Sequence, residues 1–509
     1  MKTSRTKQVL FTLTLAIMLI SSLATTIGCT AKAPIPEMDS LSSMLHESVD
    51  NKKTPGVYLG LVHNGEIVFE EAYGMADIET QTPFTKDTIA VLASCTKPMS
   101  VSTIMTLVDD GIISLDDPVS KHLPAFGDLT IKGTGAKAPS PTIRQCLSMT
   151  SGIYGNPEAS PAGQRANIDI SLTLAESADI VAEVVSKEGL MAQPGTRYSY
   201  SGAGFQVAGR IAEIVTGKTF DTLVQERLAN PLGLTSTTFE IKQEYLPLME
   251  TIYIPSLTSD WEVAARPRDM WDTFARMKLV VVEGGLISTT HDYLTFLQMH
   301  AKGGKSDSVQ VLSNKAVAEM QKLNTKGLER GKGSETYPEY CMGWYADRLD
   351  DKGQPREFHH SGLYGTYGWV DLDRDLVGFF VTNQPYSLAQ GIFQPIHNKI
   401  LEIFPGPMPT PSESQSTIKT MERPPIIEEF SVSPTEIKSG SSATLTWLIT
   451  GQAVYGTIEP SVTDLVLWRS DINRIAGTKE VSPTQTTTYI IKATNSFGEA
   501  TKSVTLVVK

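Results

Sequence analysis

Cysteine is scarce in this chain, with four in 509 residues, and Cys29, Cys95, Cys146 and Cys341 lie too far apart for a disulfide framework. None has the paired Cys-x-x-Cys spacing of a zinc site, and no His-Glu-x-x-His pair occurs, so the sequence asks for no metal and no cofactor. The Gly-x-Ser-x-Gly elbow is missing too, which argues against the α/β-hydrolase route to a nucleophilic serine. Lys and Arg do not cluster. With 44 basic against 56 acidic residues the net charge is −12 and the pI near 5.3, which argues against a nucleic-acid surface. Beyond the N-terminal leader no apolar run is long enough to span a bilayer.

What remains is an ordinary globular composition, 40% hydrophobic and 20% charged, in a chain long enough for two or three domains. Residues 1–29 read as an export signal: Lys2, Arg5 and Lys7, an apolar stretch from Val9 to Ile20, then small residues. Its end, Ile27-Gly28-Cys29, resembles a bacterial lipobox, which implies lipidation of Cys29 and anchoring in the cell envelope; Thr26 replaces the usual leucine. Otherwise the mature protein is periplasmic or extracellular. Without Cys29 three cysteines remain, so at least one stays unpaired in a monomer.

Residues 30–37 form a tether. A helix is expected over Leu41 to Val49, followed by a hairpin, Val57 to Val62 and Glu66 to Ala72, around Asn64-Gly65. Helices dominate the middle, and strand character returns from Gly365 to Thr382 before a closing helix. Strands at both ends with helices between predict an α+β domain over 38–404, an antiparallel sheet flanked by helices beside a helical lobe. Residues 405–425 are a Pro/Ser-rich linker. Residues 426–509 alternate short β-rich runs, including Ala443 to Ile449, Asp464 to Trp468, Thr487 to Ala493 and Thr501 to Val508, as in a small β-sandwich with Trp447 in its core.

Ser94-Cys95-Thr96-Lys97 places a hydroxyl and an amine three residues apart at the start of an expected amphipathic helix carrying Ile104, Met105, Leu107 and Val108. On one helical face the amine reaches the hydroxyl, a nucleophile beside its base, and the helix N-terminus favours a developing oxyanion. Ser-x-x-Lys also occurs at Ser4 and Ser416, without such a helix. Cys95 points about 100° away from Ser94 and reads as a buried thiol.

Two further segments share this chemistry: Tyr198-Ser199-Tyr200-Ser201-Gly202 and His359-His360-Ser361-Gly362. In order and spacing the three motifs resemble the serine β-lactamase and penicillin-binding family, in its class C-like branch with esterases, D-aminopeptidases and DD-peptidases. Gly111 to Val119, Thr142 to Gly152, Pro231 to Leu234 and Gly284 to Thr289 resemble its framework, and 426–509 resembles bacterial Ig-like modules. The resemblance implies that Ser94 forms an acyl-enzyme, that Lys97 or Tyr200 takes its proton, and that His360 stands where the family's Lys-Thr-Gly lysine does. It also implies that Ser361, Gly362 and Leu363 flank substrate, the N–H groups of Ser94 and Leu363 forming the oxyanion hole. His359 is expected on the opposite strand face.

One departure bears on substrate. The family's second motif ends in Asn, whose amide holds the acylamide of β-lactams and peptides, and here Gly202 stands in that place. The expected substrates are therefore esters or small D-amino-acid-type amides. A β-lactamase or DD-carboxypeptidase is the alternative within enzymes, and a binding or sensor protein the alternative outside them. Trp261, Trp271 and Arg266 are candidates for the pocket rim.

Overall fold

The computed structural model describes residues 38–255, 260–306, 308–331, 334, 337–407, 424–450, 455–460, 474–495 and 498–509. The leader with Cys29, the tether, most of the linker and the Asp464 to Trp468 run lie outside the described residues.

One helix, α1 (Met38–Asp50), leads into the hairpin of β1 (Gly56–His63) and β2 (Glu66–Asp77). Asn64 and Gly65 have φ of 51° and 76°, the doubly left-handed turn that matches the twist of the flanking strands. β3 (Thr82–Pro83) follows, and five strands from the far end of the domain complete the sheet: β4 (Glu339–Tyr340), β5 (Tyr345–Leu349), β6 (Pro355–Ser361), β7 (Thr366–Asp371) and β8 (Leu376–Thr382). The order is β4-β5-β6-β7-β8-β1-β2-β3, antiparallel at each pairing, so the two sequence ends meet where β1 lies against β8.

β8 is buried along its whole length, as a central strand covered on both faces must be. Four helices carry the rest of the argument: α2 (Thr96–Asp109), α3 (Leu174–Glu188), α4 (Ala203–Thr216) and α5 (Thr290–Ala301). The closing helix, α6 (Tyr386–Ile403), sets Phe393 against Tyr367, Trp369 and Phe380, with ring centroids 4.1 to 5.4 Å apart. On α5, Tyr293 lies 4.4 Å from Phe379.

α2 differs from its expected amphipathic form, because Thr96 to Leu107 are buried without interruption. Its polar residues do not mark a solvent face. Ser102 donates to Pro98 O at 2.8 Å, Thr103 to Met99 O at 3.0 Å and Ser100 to Val282 O at 2.6 Å, so the hydroxyls satisfy themselves on nearby carbonyls in the interior.

The C-terminal segment forms two small sheets, one of Ile426–Ser433, Ala443–Thr450 and Arg474–Val481, the other of Glu436–Ile437, Gly498–Val508, Thr487–Asn495 and Tyr455–Glu459. They share a core that includes Phe430, Leu445, Trp447, Ile491 and Leu506, consistent with an all-β module.

Candidate active site

Ser94 sits in a single 3₁₀ turn, Ala93–Cys95, which runs directly into α2. Ala93 has φ of 45°, a left-handed conformation that costs a non-glycine residue about 1 kcal/mol and persists only where the surroundings enforce it. They do so through β6 and β7. Cys95 donates its thiol to His360 O at 3.1 Å, and Thr366 donates its hydroxyl to Leu92 O at 3.1 Å. Gly362 closes the joint: a Cβ there would stand 2.2 Å from Leu92 O and 2.1 Å from Thr366 Oγ1, so only glycine lets the strand end approach this closely.

Ser94 Oγ lies 2.9 Å from Lys97 Nζ and 2.8 Å from Tyr200 OH. Lys97 is 1% exposed and also donates to Glu283 O at 2.9 Å, with its ammonium nitrogen 4.7 Å from the centre of the Tyr200 ring. Burial favours the neutral amine, while each oxygen it touches favours the ammonium. The Tyr200 loop is fixed by backbone contacts: Tyr200 N donates to Ser334 Oγ at 2.9 Å, Ser201 Oγ to Tyr154 O at 2.8 Å and Gly202 N to Asn156 Oδ1 at 3.1 Å. Tyr337 meets the Tyr200 ring edge-on at 5.3 Å and Tyr345 lies parallel to it at 6.4 Å.

His360 is buried, its ring centre 6.5 Å from that of Tyr200. Its Nδ1 lies 2.9 Å from Ser361 O and its Nε2 3.3 Å from Tyr340 OH, which makes Nδ1 the donor and Nε2 the acceptor. Burial, and then the charge of Lys97, holds its pKa well below the ordinary histidine value, so it is neutral. His359 turns instead to Asp347, 2.5 Å away, and stacks against Tyr367. Burial pushes the Cys95 thiol up to about 11, which removes it as a rival nucleophile.

Residues 41–398 match the beta-lactamase family. The chain belongs to that family. A Salmonella typhi protein assigned by name to the D-alanyl-D-alanine carboxypeptidases is 26% identical over 359 residues, 65% of this chain and 79% of that one. Among solved structures, EstCE1, described as a hydrolase with promiscuous acyltransferase activity, shares 20% identity with a TM-score of 0.58, over 72% of this chain and 98% of that chain. The D-amino acid amidase of Ochrobactrum anthropi SV3, complexed with D-phenylalanine, shares 20% identity with a TM-score of 0.52, over 76% and 99%. These likenesses fix the beta-lactamase/transpeptidase fold, and the chain is a beta-lactamase-family serine hydrolase.

Lys97 and Tyr200 converge on the Ser94 oxygen, and His360 and Ser361 end the strand beside them, with Gly362 just past it. Leu363, half-buried, follows in the turn, and its carbonyl accepts from Tyr386 N at 2.9 Å. Arg266 is committed elsewhere, to Asp77 at 3.3 Å, to Glu79 and to Asp269. Trp261 begins a hairpin strand and Trp271 a short helix, both half-buried.

Glu283 joins the site without any motif to mark it. Its signal is a lone acid that closes the apolar run Leu279-Val280-Val281-Val282, immediately before Gly284-Gly285. Tyr337, Tyr340 and Tyr345 likewise have no spacing that marks them.

Proposed function

We propose that this protein is an exported serine hydrolase that works through a Ser94 acyl-enzyme on esters or small D-amino-acid-type amides. The supporting observation is the pair of contacts at Ser94 Oγ, 2.9 Å to an amine and 2.8 Å to a phenol. As Oγ bonds to the substrate carbonyl carbon, its proton passes to Lys97 or Tyr200, and the carbonyl oxygen becomes an oxyanion facing the N–H groups of Ser94 and Leu363. Collapse breaks the bond to the leaving group, which takes the proton through Tyr200. Water then attacks the acyl-enzyme by the reverse relay.

Two features favour esters and small amides over β-lactams and cell-wall peptides. Gly202 supplies no amide for an acylamide, and neutral His360 supplies no charge for a substrate carboxylate. The carboxypeptidase-named Salmonella relatives favour the second reading, a DD-carboxypeptidase or β-lactamase. In both readings residues 1–29 direct export, Cys29 carries lipid, and 38–404 is the catalytic domain, joined by the linker to an Ig-like module at 426–509.

The test is hydrolysis of a short-chain p-nitrophenyl ester by the protein and by Ser94→Ala, with intact mass recorded after quenching. Turnover and an acyl adduct present in the first and absent from the second are the expected outcome. Equal rates with no adduct in either would overturn the ester reading, and adduct formation with a penicillin or a D-alanyl-D-alanine peptide would then select the second one.

A further inference from the structure

Gly202 leaves a gap in the second motif, and the structure fills it from another part of the chain. A Cβ built at 202 would stand 2.4 Å from Glu283 Oε1, 2.9 Å from its Cδ and 3.0 Å from its Cγ. The Glu283 side chain therefore occupies the volume into which residue 202 would project. It is 9% exposed, its Oε2 has no hydrogen-bond partner, and its backbone carbonyl is the one that receives Lys97. A buried carboxyl short of partners is costly, so its position beside the only buried ammonium of the Ser94 cluster calls for an account.

We propose that Glu283 takes the place of the missing side chain at 202 and serves as the counter-charge that fixes the protonation state of Lys97. This rests on the hydrolase reading. Glu283 is a positioning residue in that account, acting on Ser94 through Lys97. The groups that face it are Lys97 from α2, Tyr154 from the loop ahead of the short helix Pro161–Ile168, and uncharged Gln206 from α4, whose amide approaches without a hydrogen bond of ordinary geometry. Burial pushes the carboxyl up to about 7, against the pull of Lys97. Below that pH Glu283 is neutral and offers Lys97 no charge; above it the carboxylate holds the Lys97 proton more tightly. His360, whose pKa burial holds well below the ordinary histidine value, is neutral where the profiles part.

The sign of the test follows. Glu283→Gln imitates the protonated acid, so below about pH 6 the variant and the parent have superimposable pH–rate profiles for ester hydrolysis. Above about pH 7 they part, because Lys97 loses its counter-charge, and the limb that Lys97 governs moves to lower pH by about one unit. Lys97 is followed independently by NMR of the full chain carrying 13Cε-lysine, its resonance assigned by loss in Lys97→Met. Its titration midpoint falls by the same unit in Glu283→Gln.

Gly202→Ala, whose methyl displaces the carboxyl without removing it, moves both readouts in the same direction and serves if Glu283→Gln fails to fold. Profiles and midpoints that do not move, or a rate lowered by one factor at every pH, would overturn the proposal. Absence of Ser94-dependent turnover in the parent is a separate failure, that of the hydrolase reading, and the NMR midpoint still decides the role of Glu283.

Discussion

The two ends of β7 carry two buried polar clusters that use charge in opposite ways. At Thr366 the strand supports the Ser94 turn, beside which Lys97, Glu283 and Gln206 are buried and Glu283 Oε2 and both amide atoms of Gln206 lack a hydrogen-bond partner. At Asp371, five residues on and about 17 Å along the strand, the charges are closed on one another. Asp371 accepts from Arg348 at 2.7 Å, from Arg374 at 2.6 Å, and from the backbone N–H groups of Asp373 and Arg374 at 3.0 and 3.2 Å. Arg374 also donates to Phe404 O at 2.9 Å. One cluster has its central carboxylate bonded on both oxygens and holds strands together. The other keeps groups within reach of a proton, which is what a reacting centre needs and what a structural ion pair cannot offer.

The comparison is broken most forcibly at the closed end. Asp371→Ala takes the shared carboxylate from two buried guanidiniums, and breaking such a pair costs about 3–5 kcal/mol. Urea unfolding of the full chain reads that loss. The activity per folded molecule stays near the parent value, because nothing in this cluster touches Ser94. A fall in specific activity comparable to the loss of stability would mean that the two ends of the strand are coupled and that the contrast drawn here is wrong.

At the open end the ordering reverses. Tyr200→Phe removes one hydroxyl from a ring that stays packed between Tyr337 and Tyr345, so stability changes little. Turnover of the ester falls by roughly 10²- to 10³-fold, the share a positioned proton carrier supplies. Steady-state kinetics beside a thermal melt separates the two effects, and a large drop in melting temperature at unchanged turnover would make Tyr200 a packing residue.

Much of the open end was legible in sequence because it is built locally. Ser94 and Lys97 share one helical turn, Asn64-Gly65 demands its own left-handed turn, and each is decided within four residues. The partners contributed from a distance were not legible. Glu283 reaches the site only because Gly202, 81 positions earlier, is empty. Arg348 and Asp371 are joined by strand pairing that no spacing announces. The same limit explains Arg474–Val481, whose Arg, Gly, Lys and Glu give little β signal. It becomes a strand because it lies against Ala443–Thr450 in full register. The α2 misreading has the opposite cause: Ser and Thr count as polar in any periodicity, yet in a helix their hydroxyls can bond their own backbone and enter a core.

His360 tests the comparison at its finest, since it lies in the open cluster and yet has both nitrogens engaged. Its pKa is held well below the ordinary value in the folded protein, whereas in the unfolded chain it titrates near 6.5. Below that pH the unfolded state binds a proton that the folded state refuses, so this site's contribution to stability is complete above about 6.5 and is lost as the pH falls. Between pH 8 and pH 5 that loss has a ceiling of about 2 kcal/mol. His360→Gln keeps a side chain able to bond Tyr340 but cannot take the proton, so its urea stability declines less over the same interval, by up to about 2 kcal/mol. Parallel stability curves for parent and variant would mean that His360 takes up its proton as readily in the folded state as in the unfolded chain. Below about pH 6.5 it would then add a second cation beside Lys97, and the neutral imidazole that separates this site from a lysine-bearing one would be confined to higher pH.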